Sequence, residues 1–494
     1  MIDFINTEFK YENSKDLSLK KFTYSFEKGK VYLLCGKSGC GKTTITRFIN
    51  GLIPNFYNGN TSGDCLFKQE KIAEIPMYKL SEMAGSVFQN PRSQFYNVDT
   101  TSELVFNLEN QGVDANLILS RLENVVEALK IQPLLDRDIF ELSGGEKQII
   151  ACASLAISNP DVIVLDEPSS NLDIVAIEKL KTILDYWKNQ GKTILIAEHR
   201  IYYLMDLIDN VLYIDNGRLL KTWDRNEFLS LNEIEYEKLG LRTRSLSDCK
   251  SNIKQIQAKC EYIQLKDFIF SYTKSHKCLN VKKLNIPKNH TIALIGNNGS
   301  GKSTLARCLC GLEKSFNGKV KIDGQILSNK EMILKFFLVM QDVNHQLFTE
   351  SVEEEIKICR DNLDDETIQE LLRKFDLEDK INRHPMSLSG GEKQRLAIIT
   401  ALVSNREILI FDEPTSGLDF TNMRRFSSTL KTIRDDITKI IISHDYELIL
   451  EACDYVVHLE KGRVKDSYCL DNAGLAKLES YFLQKDREVV SYEK

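Results

Sequence analysis

GKSGCGKTT, at Gly36–Thr44, follows the apolar run VYLLCG and precedes a helical-looking stretch. Glycines in a G-x-x-x-x-G-K-[ST] stretch let successive backbone N–H groups curl around an anion, and the next helix points its positive end at the same place. The stretch returns as GNNGSGKST at Gly296–Thr304, after the strand-like TIALIG. Two phosphate cradles are therefore expected. One is built from Gly36, Lys37, Ser38, Gly39, Cys40, Gly41, Lys42, Thr43 and Thr44. The other is built from Gly296, Asn297, Asn298, Gly299, Ser300, Gly301, Lys302, Ser303 and Thr304. Lys42 and Lys302 would reach the β and γ phosphates, while Thr43 and Ser303 would bind Mg²⁺. Because Cys40 sits inside the first cradle, a maleimide is expected to inhibit that site and ATP to protect it.

Outward from the cradles, the chain repeats itself in one fixed order. ELSGGEKQ at Glu141–Gln148 returns as SLSGGEKQ at Ser387–Gln394, VIVLDEPSSNLD ending at Asp173 returns as ILIFDEPTSGLD ending at Asp419, and His199 in IAEHR returns as His444 in IISHD. Ser143 to Glu167 and Ser389 to Glu413 are both 24 residues. Lys42 to Ser143 is 101 residues against 87 from Lys302 to Ser389, and the extra residues are expected within Asn107–Lys130. Apolar strand runs alternating with helical segments indicate two α/β domains, each with a mostly parallel sheet. Residues 1–225 are read as the first domain, 226–261 as a linker and 262–494 as the second domain with its tail. The segment Trp223–Glu261 reads as charged, partly helical and without an apolar face.

Asp166 and Asp412 end apolar strands, where a carboxylate needs a cation or donors; they are expected to support Mg²⁺. Glu167 and Glu413 follow directly and are placed to orient or deprotonate an attacking water. His199 and His444 each close the third strand run and are expected near the γ-phosphate. Ser143, Gly144 and Gly145, like Ser389, Gly390 and Gly391, open a long helix and form a second anion-binding terminus. A single cradle does not need a second such terminus. Two copies per chain suggest a head-to-tail arrangement, each cradle facing the other half's LSGG across a shared ATP.

Composition narrows the classes. The chain has 494 residues, 42% hydrophobic and 28% charged, with net charge -6, which gives no sign of a general nucleic-acid binder. No stretch reaches the roughly 18 apolar residues of a membrane helix, and the N-terminus lacks a signal-peptide h-region. The 12 cysteines include no C-x-x-C pair. Cys308 and Cys310 diverge on a helix, so buried reduced thiols are expected rather than a metal site.

With LSGGEKQ beside the two cradles, the sequence resembles the ATP-binding cassette (ABC) superfamily over nearly all of both halves. That resemblance implies two tandem P-loop NTPase (ABC-type) domains, each adding an antiparallel β subdomain and a helical subdomain, in a head-to-tail pseudo-dimer that hydrolyses ATP with Mg²⁺. It also implies that Gln89 and Gln341 join Mg²⁺ and water to the helical subdomain. Asp173 and Asp419 would communicate across the pair, and Tyr11 and Tyr272 would stack on adenine. Site one then uses Lys42, Glu167 and His199 with Ser389 and Gly391 opposite; site two uses Lys302, Glu413 and His444 with Ser143 and Gly145. Both sites are expected to hydrolyse ATP. Arg395 follows the second LSGGEKQ where the first has Ile149.

Within the superfamily, VFQNPRSQF, VMQDVNHQLFTESVEEEI, DEPSSNLD and AEHRIYYLMDLIDNVLYIDNG look like the energy-coupling-factor importers of vitamins and metal ions. This implies an energy-coupling ATPase on the cytoplasmic side of the cell membrane. Its expected partners are integral membrane subunits, including a separate substrate-binding component, with no nucleic acid and no homodimer required. Two alternatives are a soluble tandem ABC ATPase acting on ribosome or nucleic acid, and a tandem sugar-importer ATPase. The first commonly has a long basic linker, unlike Trp223–Glu261; the second commonly has a degraded second cradle, whereas GNNGSGKST is intact.

Overall fold

The computed structural model describes residues 1–12, 14–249, 261–272, 278–360 and 363–483. The chain divides chiefly into two compact units, one built on Met1–Asp248 and one on the chain from Cys249 onward.

Each unit contains a six-stranded sheet of the same topology. In the first the strand order is Arg218–Asp224, Asn210–Asp215, Val31–Cys35, Thr193–Ala197, Val162–Asp166 and Ala84–Val87. In the second it is Arg463–Cys469, Tyr455–Glu460, Thr291–Ile295, Thr438–Ile442, Ile408–Asp412 and Phe336–Val339. All neighbours run parallel except the outermost pair formed by Arg218–Asp224 or Arg463–Cys469. Val31–Cys35 and Thr291–Ile295 are buried along their whole length, which is why they read as continuous apolar runs. This order sets four loops side by side on the carboxyl edge of each sheet, the usual place for a ligand in a doubly wound fold. The loops carry the phosphate cradle, the histidine, the acid pair and the glutamine.

A four-stranded antiparallel sheet packs beside each parallel sheet. Its order is Leu19–Phe26, Ile2–Tyr11, Gly59–Phe67 and Glu70–Lys71 in the first unit, and Leu279–Pro287, Tyr262–Phe270, Asn317–Ile322 and Gln325–Ile326 in the second. Phe4, Phe9, Phe22 and Phe26 from this sheet join Phe48 of the cradle helix in one apolar cluster. The antiparallel layer is thereby packed against the helix that follows the first cradle.

Two sequence expectations change. Eight of the first copy's extra residues lie before Asn107, because Lys42 to Gln89 is 47 residues and Lys302 to Gln341 is 39. A short helix, Leu52–Asn55, accounts for part of them. The remainder is visible in Ala115–Leu129, 15 residues against 10 in Asp365–Lys374. The segment after Trp223 does carry an apolar face. Helices Arg225–Ser230 and Glu233–Leu239 bury Phe228 and Tyr236, with Leu241, in the first unit's core. The Tyr236 hydroxyl donates to the Phe228 carbonyl at 3.1 Å. The linker expected from 226 thus begins inside a helix of that core, and residues 250–260 lie outside the described residues.

Candidate active site: two phosphate-loop centres

Each cradle is fixed by its first glycine. Gly36 has φ +142°, and a Cβ there would lie 2.1 Å from the Ile214 carbonyl oxygen; Gly296 has φ +147° and meets the Leu459 oxygen at 2.1 Å. Only glycine fits so close to a neighbouring strand. The lysines then span their loops from below. Lys42 Nζ donates to the carbonyls of Gly36 at 2.9 Å and Lys37 at 3.1 Å; Lys302 Nζ does the same to Gly296 at 2.7 Å and Asn297 at 3.1 Å. Both are buried, so the charge that would meet a phosphate is prearranged.

The acid pair sits one strand beyond the histidine strand. Thr43 Oγ1 donates to Asp166 Oδ1 at 3.2 Å, and Ser303 is the neighbour that holds the Asp412 carboxyl down in the second unit. Burial, then the neighbouring Glu167, pushes the Asp166 carboxyl up to about 6; burial raises Asp412 as well. Asp412 Oδ1 is buried without a hydrogen-bond partner among the described residues. Buried carboxylates of this kind fit a divalent cation, and Thr43, Asp166, Ser303 and Asp412 are the residues that would hold Mg²⁺. Burial also pushes Glu167 up to about 7, close to what a general base needs at neutral pH.

Both glutamates have φ 47°, a left-handed conformation that is costly for a side-chain-bearing residue, and both keep a strand-type bond: Glu167 N to the Ala197 carbonyl at 2.8 Å, Glu413 N to the Ile442 carbonyl at 2.9 Å. The same strain at both positions turns each carboxylate toward its histidine. His199 Nε2 is 3.4 Å from Glu167 Oε1, and His444 Nε2 is 3.5 Å from Glu413 Oε1. Burial, then the Lys42 charge, lowers the His199 pKa to about 3, so its ring is neutral at pH 7.

Gln89 Nε2 donates to Glu167 Oε2 at 2.7 Å. Gln341 lies two residues beyond the equivalent strand, Phe336–Val339, in the second unit. In that unit His444 Nε2 also lies 3.2 Å from Asn298 Oδ1. Ser38 holds that place in the first cradle.

Ser143 and Ser389 open helices Gly144–Ser158 and Gly390–Val403 through capping boxes: each serine oxygen accepts the N–H of Glu146 or Glu392, and each glutamate accepts the serine N–H in return. The glycine N–H groups of the first turn have no partner within the helix, leaving donors for an anion. Asp173 caps helix Ile174–Asn189 by accepting from Ala176 N at 2.8 Å, and Asp419 is buried just before Phe420–Thr432.

The aromatic residues differ in setting. Tyr11 is tied to the first cradle helix, its hydroxyl 3.3 Å from Thr44 Oγ1 and accepting from Arg47 Nη1 at 2.9 Å. Arg47 in turn stacks 3.9 Å over the Tyr57 ring, a neighbour that no sequence motif singles out. Tyr272 is 57% exposed and rests edge-on against Phe270 at 4.8 Å. Cys40 points inward under the loop: it is buried, its Sγ is 3.8 Å from Lys42 Nζ, and burial raises its pKa. Ready reaction with a maleimide, as expected of a cradle thiol, does not suit so inaccessible a sulfur. The second Arg395 finds a structural use: its Nε donates to the Phe375 carbonyl at 2.8 Å, fastening the signature helix to the end of helix Asp365–Lys374.

Fold and centres define a P-loop ATPase present twice in one chain. The family model described as "ABC transporter" matches residues 19–170 and 279–416, and the chain belongs to that family. Two ABC transporter ATP-binding proteins of Treponema denticola are similar over nearly full length: one is 44% identical over 95% of this chain and 97% of its own, the other 37% identical over 98% and 100%. Among solved structures, a chain of the model of ribosome-bound archaeal Pelota and ABCE1 is 25% identical, with a TM-score of 0.67, covering 96% of this chain and 80% of that one.

Proposed function

We propose that this chain is the energy-coupling ATPase of a membrane importer, of the energy-coupling-factor type, bound peripherally on the cytoplasmic side of the cell membrane. The observation that carries this reading is a pair of matched apolar surfaces beside the two glutamine loops. Tyr96 is 80% exposed and Phe140 76% in the first unit; Phe348 is 71% exposed and Met386 46% at the corresponding places in the second. Large apolar side chains left in water at matched positions suit a partner surface.

The chain holds these residues in place. Buried Glu103 accepts from Tyr96 N at 3.0 Å and Asn97 N at 2.8 Å; buried Glu355 accepts from Phe348 N at 2.9 Å and Thr349 N at 3.0 Å. Upstream, the Gln94 amide bridges Phe88 N and the Ser86 carbonyl, and Gln346 bridges Met340 N and the Leu338 carbonyl. Each exposed aromatic is therefore fastened at both ends of a loop that begins at Gln89 or Gln341. A loop so held would pass movement at the acid pair to helices of membrane subunits, one of which would select the substrate.

In this reading ATP on Lys42 is closed over by Ser389 and Gly391, and ATP on Lys302 by Ser143 and Gly145. Mg²⁺ at Thr43 with Asp166, and at Ser303 with Asp412, would offset phosphate charge. Glu167 and Glu413 accept the proton of the attacking water, and neutral His199 donates from its ring to the γ-phosphate. Closure is favoured by ATP only to the extent that ATP prefers the closed state.

A second reading, action on the ribosome, is favoured by the likeness to the ribosome-bound archaeal chain. Purification of the tagged chain in mild detergent separates the two. Integral membrane proteins recovered in fixed proportion to the chain are the expected result, and Tyr96→Asp with Phe348→Asp should cut that recovery at least about tenfold, as loss of hot-spot aromatics does. Recovery of ribosomal subunits without membrane proteins would instead support the second reading.

A further inference from the structure

The loops that carry the two histidines are held by carboxylates from different sequence positions. In the first unit the carboxylate is Glu198, one residue before His199, and it is 2% exposed. Its Oε1 accepts from His199 N at 2.7 Å and Arg200 N at 3.2 Å; its Oε2 accepts from Ser169 N at 3.2 Å and the Tyr203 hydroxyl at 2.9 Å. In the second unit residue 443 is a serine, and the buried acid is Asp445, one residue after His444. Asp445 Oδ2 accepts from Thr415 Oγ1 at 3.0 Å, its Oδ1 from Leu448 N at 3.3 Å, and its own N–H donates to Ser443 Oγ at 3.0 Å.

A carboxylate withdrawn from water is costly unless donors satisfy it, so neither acid is a passive filler of the core. Both make the same connection. Ser169 and Thr415 each lie two residues beyond the glutamate of the acid pair, and each is bound by the acid of the histidine loop. Although the acid comes from opposite sides of the histidine, the glutamate–histidine separation is the same to 0.1 Å, 3.4 Å in one unit and 3.5 Å in the other.

We infer that Glu198 and Asp445 are positioning residues of the ATPase centres, each tying the loop after the water-activating glutamate to the loop that carries the histidine. Two acceptor oxygens on one acid are what let it hold both loops together. A glutamine or asparagine has one acceptor oxygen and one donor nitrogen, so it keeps the shape and holds only one loop. Ser169, at the sequence position that matches Thr415, carries a buried hydroxyl that could meet an acid placed at position 200. The inference rests on the assignment of hydrolysis to Glu167, Glu413, His199 and His444.

The test uses the full chain and steady-state ATP hydrolysis, with thermal melting to confirm folding. Glu198→Gln combined with Asp445→Asn should lower kcat on the order of tenfold to 100-fold, as misplacement of reacting groups by about 1 Å does, and leave KM within about twofold because the cradles are untouched. In the Asp445→Asn background, Glu198→Ser should be as slow or slower, and adding Arg200→Asp should restore kcat severalfold by supplying the acid from the second unit's position. A folded Glu198→Gln, Asp445→Asn chain with the parent kcat would overturn the inference, as would no gain on adding Arg200→Asp. If Glu198→Ser does not fold, the isosteric pair still decides. Glu167→Gln with Glu413→Gln, run alongside, keeps the two levels apart. Lost turnover there with full turnover in the isosteric pair refutes the positioning role alone, whereas full turnover there refutes the catalytic assignment on which it stands.

Discussion

Replacing both Glu167 and Glu413 by glutamine should lower ATP turnover by at least about 100-fold, the usual cost of losing the group that orients or deprotonates the attacking water. Glutamine has nearly the same shape, so binding is retained while the acceptor that receives the water's proton is gone. The expectation follows from the strain both residues share. A left-handed φ of 47° at a residue bearing a side chain persists only where the surroundings enforce it, and here an N–H bond to the neighbouring strand does so in both units. Both carboxylates end within 3.5 Å of a histidine ring nitrogen. Each single substitution should leave half of the turnover or less. Phosphate release from the purified chain measures this, and a single variant with parent turnover would mean that its centre does not contribute.

The second large effect is expected at the first glycine of each cradle. Gly36→Ala or Gly296→Ala places a Cβ 2.1 Å from a strand carbonyl oxygen while demanding φ near +145°, so the loop must move away from the sheet. A cost of about 2 kcal/mol or more is expected, a fall of roughly 4–8 °C in the melting temperature of the affected domain. Displacing the cradle should also abolish the rise in melting temperature that Mg-ATP gives that domain. Gly144→Ala is the control. A Cβ there meets nothing within 4 Å and its backbone is helical, so its melting temperature without nucleotide should match the parent.

Motifs whose geometry is imposed by the backbone were the most legible part of the sequence. The cradles, LSGGEKQ and the DE pairs each need particular residue types at fixed spacing; the structure places the cradles and DE pairs on the carboxyl edges of two sheets with one strand order and LSGGEKQ at the start of a helix in each unit. Burial patterns served equally well for Val31–Cys35 and Thr291–Ile295, whose apolar runs have no polar alternative. What the sequence does not show depends on contacts between distant segments. Phe228 and Tyr236 lie eight residues apart amid charged neighbours, and only the packed core shows that they share one face. Glu198 and Asp445 occupy different positions relative to their histidines, so comparing the two copies residue by residue hides their common connection. Cys40 was legible as a cradle residue, but the inward direction of its side chain is set by Gly36 and Lys42 in three dimensions.

The most direct measurement is the number of ATP molecules held by the chain carrying Glu167→Gln and Glu413→Gln, determined by equilibrium dialysis with Mg-ATP at saturation. Two complete centres predict two ATP per chain, falling to one when Gly36→Ala or Gly296→Ala is added. A limit of one ATP before that addition, or none, would contradict the duplication of a working nucleotide centre.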